Sequence, residues 1–234
     1  MPLLNDIKNA ARVVCLAMRG GFHVQDYDGV PACADGRAAR TIVLLGNVGS
    51  TFWPAFSTSP EFRDGKDHPL DRWTRRVTGH LAAALGAEPL YPFDGPPHWP
   101  FQRWAQRAEA VHPSPLGLLI HPDHGLWHAY RAALVFGEAI ELPAHDRRPS
   151  PCDTCADKPC LSSCPVGAFT GTNYDVGACA AHIASAAGTD CMDLGCRARR
   201  TCPIGSQLAY QLDHARFHMD AFLRSQLAEK RRLG

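Results

Sequence analysis

Eight of the ten cysteines fall between positions 152 and 202, while Cys15 and Cys33 stand alone near the N-terminus. The first four occupy CDTCADKPCLSSCP, residues 152–165, at the spacing C-x2-C-x4-C-x3-C-P. Thiolates this crowded can wrap a compact iron–sulfur cube, and a proline behind the last of them turns the chain and removes an N–H that would need a partner. The second four, Cys179, Cys191, Cys196 and Cys202, are looser, but CPIG at 202–205 echoes CPVG at 164–167. The competing chemistry is zinc, for which Cys-x2-Cys is a half-site. Two Cys-Pro endings and a set of eight favour iron–sulfur.

Two-cluster ferredoxins are built as pseudo-duplicates in which the last cysteine of each run serves the neighbouring cluster. Crossed over in that manner, Cys152, Cys155, Cys160 and Cys202 hold one [4Fe–4S] cluster, and Cys164, Cys179, Cys191 and Cys196 a second. At minimum one cluster is expected, in which case Cys179 and Cys191 are the spectators. His182 reads as a surface or outer residue rather than a ligand. Arg197, Arg199 and Arg200 sit among the second group, where they either raise the potential of an anionic cluster or are simply solvated.

The elements that must carry these thiols come from a chain of ordinary composition. Its 234 residues suffice for one substantial domain and a smaller module, and 45% apolar with 20% charged residues describes a well-cored soluble protein. The formal charge of +1 argues for neither nucleic acid nor an anionic membrane as partner, leaving a redox partner protein and a small-molecule substrate as the expected ones. No run reaches the roughly 18 apolar residues of a membrane span. Asp6 and Lys8 fall where a signal peptide would be apolar, so a cytoplasmic location is expected, where clustered thiols bind metal rather than form disulfides.

Apolar spacing predicts a helix over 5–18 stopped by Gly20-Gly21, then a short strand in GFHVQ. ARTIVLLGNVG reads as a buried strand entering a turn, and its GNVG lacks the pattern of a phosphate loop. Leu70, Trp73, Val77, Leu81 and Leu85 share one face of an amphipathic helix. A strand in EPLYPF, a helix in FQRWAQRAEAV, and two hairpin-like strands around 117–136 joined by His121 to Gly125 follow. A polar connector from about 141, the cysteine-rich part and a closing helix complete the chain. The order suits an α+β fold, helices covering a mixed sheet with the 117–136 strands at its centre. The expected domains are 1–143, 144–206 (the iron–sulfur module) and a helix in 207–234. Trp53, Trp73, Trp99 and Trp104 suit either an indole-lined pocket or a core.

From about residue 112 to 204 the chain resembles the C-terminal half of epoxyqueuosine reductases and reductive dehalogenases. There a stretch like PLGLLIHPDHGLWHAYRAALVFGEAIELP leads into a ferredoxin-type CDTCADKPCLSSCPVGAF. HPDHGLWHAYRAALVF also resembles the cobalamin-processing (CblC-type) proteins, as do TIVLLGNVGSTFWPAF and DHPLDRWTRRVTGHL. The resemblance implies a nitroreductase-like α+β domain with a base-off cobalamin, or alternatively a flavin. Arg131 matches an arginine at the cobalamin site, and His121, Gly125 and Trp127 match the turn and strand beside it. The implied function is an iron–sulfur oxidoreductase passing electrons from the clusters to a cofactor in the N-terminal domain. The alternative is an electron carrier or cobalamin-processing accessory with no substrate of its own. Catalytic residues stay unassigned.

Overall fold

The computed structural model describes residues 4–233. In chain order the elements are α1 (Leu4–Val13), β1 (Ala17–His23), β2 (Thr41–Val48), α2 (Trp53–Ser57), α3 (Pro60–Arg63), α4 (Pro69–Leu85), β3 (Glu88–Leu90) and α5 (Phe101–Ala108). Then come β4 (His112–Pro113), β5 (Leu119–Ile120) and β6 (His128–Phe136), and after them α6 (Pro159–Ser162), α7 (Val176–Ile183), α8 (Thr189–Leu194), α9 (Arg197–Arg200) and α10 (Leu212–Leu233). The chain divides into two compact units, Met1–Ala110 with His128–Arg148, and Val111–Trp127 with Pro149–Gly234.

The first unit is built on a four-stranded sheet in the order β1-β2-β6-β3. Every pairing in it is antiparallel, which corrects the expected mixed sheet. β2 and β3 do run in the same direction, linked through α4, but β6 inserts between them and pairs with both. A mixed ladder would need two parallel neighbours in contact. β2 is buried from Thr41 to Asn47, so it reads as a continuous apolar run rather than an alternating one. One face of the sheet packs Val43, Leu45, Leu134 and Phe136 against Ile7 and Ala11 of α1 and Leu81 and Ala82 of α4. α4 starts with Pro69 in its first turn and stops at Gly86, whose left-handed φ of 67° lets its N–H cap the Ala82 and Ala83 carbonyls.

The first helix ends at Val13, and Gly20-Gly21 lie inside β1 at a bulge instead of stopping that helix. Gly20 holds φ +82°, and a Cβ there would sit 2.3 Å from the Ala108 carbonyl oxygen. The glycine pair is required by a close backbone approach, not by a helix end. Arg19 beside it is buried and satisfied within this unit: Glu109 at 2.6 Å, the Asn47 carbonyl at 3.1 Å, and Tyr130 donating its hydroxyl to the same Glu109 at 2.5 Å. A buried charge needs such partners to be tolerated.

The segment 117–136 does not form a central hairpin. β5 pairs with β4 in a separate two-stranded sheet of the second unit, while β6 belongs to the first. The four indoles split into two packed groups. Trp53 and Trp73 join Phe52, Phe56 and Phe62 at centroid distances of 5.2–6.0 Å. Trp99 stacks on Trp104, whose ring N–H donates to the Asp28 carbonyl at 3.0 Å. The second unit has short helices, and α10 packs on α7 and α8. No helix among the described residues is long and apolar enough to cross a membrane.

Candidate metal centres

All ten cysteines are free thiols, and the eight of the second unit are gathered round two cavities. Cys152, Cys155, Cys160 and Cys202 line the first, of about 210 Å³. Cys164, Cys179, Cys191 and Cys196 line the second, a narrower one of about 20 Å³. These linings put Cys164 with the three later cysteines and Cys202 with the three earlier ones.

Local chain geometry explains the grouping. Pro151 and Ser150 open the first loop, Ser150 accepting the Cys152 N–H through its hydroxyl at 3.3 Å. Lys158 takes a left-handed φ of 38° and hands the chain to Pro159 at the start of α6, which carries Cys160 inward. Pro165 then redirects the chain, and the Cys164 sulfur accepts the Ala168 N–H at 3.3 Å. Cys179 rides on α7, capped by the Asp175 carboxylate at 2.8 Å from the Ala178 nitrogen, and Cys191 rides on α8. Cys196 caps α9, and Cys202 follows that helix directly. The two Cys-Pro loops are tied by a Ser163–Thr201 hydroxyl contact of 2.9 Å.

Between the cavities lies an apolar cluster in which Leu116, Ile120, Leu126 and Ala198 pack with Cys152, Cys160, Cys164, Cys196 and Cys202. Burial pushes the thiols of Cys152, Cys160, Cys179, Cys196 and Cys202 up, and neighbours of the same set add to this for Cys160 (Cys202, Cys155) and Cys179 (Cys164, Cys191). Metal binding must therefore displace protons. Among the described residues no three His, Cys, Asp or Glu side chains close round a single ion; the thiols surround a space. Four thiol donors round the cavity of about 210 Å³ fit a polynuclear cluster, whereas the space of about 20 Å³ must widen to admit one.

The four residues expected at a cofactor do not form one constellation within a unit. His121, Gly125 and Trp127 lie in the second unit and Arg131 in the first. His121 Nδ1 accepts the amides of Asp123 and His124 at 3.0 and 3.2 Å, which folds the turn, and the His121 and Gly125 backbones pair at 2.9 Å both ways. Gly125 packs against the Ile204 carbonyl, so the turn sits directly on the loop that carries Cys202. Trp127 meets Tyr210 edge to face at 5.3 Å, and its buried ring N–H has no hydrogen-bond partner. Arg131 donates to Asn47 Oδ1 at 3.4 Å and lies over the Phe52 ring at 5.5 Å. Burial raises the Asp71 carboxyl, and the Arg131 charge works against that rise.

Tyr174 escaped the sequence reading. It stacks on Phe169 at 4.5 Å, and its hydroxyl hydrogen-bonds the Cys179 thiol. Burial and that thiol both raise the phenol's pKa. Its pairing depends on an isolated bridge from Phe169 to Tyr174 that no short-range pattern announces.

No protein-family model matches the chain, and no curated protein does. Solved structures do. The chain matches the epoxyqueuosine reductase of Streptococcus thermophilus at 15% identity and a TM-score of 0.50, over 91% of this chain and 69% of that one. It matches the enzyme of Bacillus subtilis at 12% identity and 0.47, over 89% and 66%. A third match, at 13% identity and 0.46, is an epoxyqueuosine reductase complexed with an epoxyqueuosine-modified tRNA stem loop. There this chain spans 66% of the other's length. The protein has the fold of the epoxyqueuosine reductases. Against the expectation of no nucleic-acid partner stands that third neighbour's own complex with a tRNA stem loop. A net charge of +1 averages the whole surface and excludes no local contact.

Proposed function

We propose that the protein is an iron–sulfur redox enzyme whose two thiol sets each hold a [4Fe–4S] cluster and deliver electrons to a cofactor in the first unit. The observation that supports this best is the division of eight cysteines into two sets of four, each round its own cavity. Two such clusters account for all eight with none left over, whereas zinc would draw four thiols to a point. The clusters supply one-electron transfer. The chain's part is to present deprotonated thiols from rigid turns, to bury them, and to offer amide and hydroxyl donors to their sulfurs, as Ala168 does to Cys164 and Tyr174 to Cys179.

Cobalamin is the cofactor this reading favours, with flavin as the alternative. Arg131, half-buried beside Asn47 and Asp71, is the group of the first unit that suits such a ligand. Since the matched structures include a tRNA complex, an RNA stem loop belongs among the substrates assayed. Anaerobic reconstitution tests the cluster reading: about eight iron and eight sulfide per chain are expected. Bound zinc without sulfide would refute it. Titrating cobalamin into that protein and following visible absorbance tests the cofactor; no saturable change would leave flavin to be tried in the same way.

A further inference from the structure

Three of the four residues of α9 are arginines, and the helix lies between Cys196 and Cys202. Two of them share one carboxylate, which offsets one of their two charges: Arg197 Nε is 3.1 Å and Arg200 Nη2 is 2.5 Å from Asp190 Oδ2. Arg199 has no carboxylate partner among the described residues. Its guanidinium donates twice to the Leu126 carbonyl, at 3.1 and 2.5 Å, and lies 4.5 Å from the Trp127 ring centroid and 4.4 Å from that of Tyr210. Both rings are buried, so water has little access to screen the charge between them. Ala198, next along the helix, is fully buried in the apolar cluster that also takes in Cys152, Cys160, Cys164, Cys196 and Cys202, members of both thiol sets.

We propose that Arg199 is a fixed positive charge that raises the reduction potentials of the clusters flanking α9, and that Asp190 offsets part of the charge of Arg197 and Arg200. The inference rests on the proposed reading that the thiol sets hold iron–sulfur clusters. Reduction adds one electron and no proton to a cluster that is already anionic. A nearby cation therefore stabilises the reduced form more than the oxidised one. Arginine suits the place because its planar group fits between two rings and keeps its charge at any working pH.

The test is an EPR-monitored potentiometric titration of the reconstituted full chain, dithionite serving as reductant, with iron and sulfide assayed on each variant. Arg199→Gln is expected to move the cluster potentials to more negative values at unchanged iron content, and Arg199→Lys to stay with the wild type. Asp190→Asn is expected to move them the other way, because Arg197 and Arg200 then lose their shared counter-charge. A Gln variant that does not shift, or a Lys variant that shifts as far, overturns the proposal. Should Arg199→Gln fail to hold iron, the other two decide: a shifted Lys variant or an unshifted Asn variant overturns it. Wild-type protein that takes up no iron and sulfide fails at the earlier step, and the cluster reading falls before any variant is compared.

Discussion

Glu61 accepts two hydrogen bonds from Arg76, at 2.5 and 2.9 Å, and these hold its carboxyl at about 2 against an ordinary 4.5. The folded value is the lower one, so the pair stabilises the protein above about pH 4.5 and that contribution is lost as pH falls towards 2. Arg76 is 44% exposed, so screening limits the effect to about 1 kcal/mol. Denaturant unfolding of wild type and Glu61→Gln at neutral and acid pH should show it, the variant losing less stability on acidification by about that amount. At this scale the chemistry-bearing residues were legible where spacing alone defines them. The eight cysteines and their Cys-Pro endings are local facts of the chain. Arg199 was not separable from Arg197 and Arg200 by sequence, because what distinguishes it is the Asp190 carboxylate that the other two share.

The turn His121–Gly125 is the element on which most depends in the second unit. Gly125 holds φ +57°, and a Cβ there would fall 1.8 Å from the Ile204 carbonyl oxygen; at Gly205 one would fall 2.5 Å from the His124 carbonyl. Backbone meets backbone, so no side-chain movement relieves the clash. Gly125→Ala should push out the loop that carries Cys202 and cost roughly 2 kcal/mol or more, through both strain and contact. Iron bound by the Cys152, Cys155, Cys160 and Cys202 set should fall while the other set keeps its iron, as a metal assay with EPR would report. Elements with strong periodicity, α4 and β2, were readable because a buried face repeats every turn or every residue. The Gly20-Gly21 bulge and the separation of β5 from β6 were not, since each is decided by a distant partner: Ala108 in one case, β4 in the other.

Across the whole chain, the two units differ in what holds them. The first has a sheet with a close-packed core, Val43, Leu134 and Phe136 among it. The second relies, α10 apart, on short helices and turns, and five of the eleven residues in their shared apolar cluster are cysteines. Chelating the metal from reconstituted protein should therefore unfold the second unit selectively. Amide exchange should accelerate over 149–205 by orders of magnitude and stay slow in β2 and β6. The α+β class was visible in the order of elements, whereas sheet direction was not, because β6 arrives from far along the chain to separate β2 from β3. The partner expectation rested on net charge, which is a sum over the molecule, whereas recognition is local. For the proposed exchange of last members between the two cysteine runs, the direct measurement is EPR with iron analysis on Cys202→Ala beside Cys164→Ala. Each variant should drop from about eight to about four iron, and each should lose the signal of a different cluster. Loss of the same signal in both variants would contradict it.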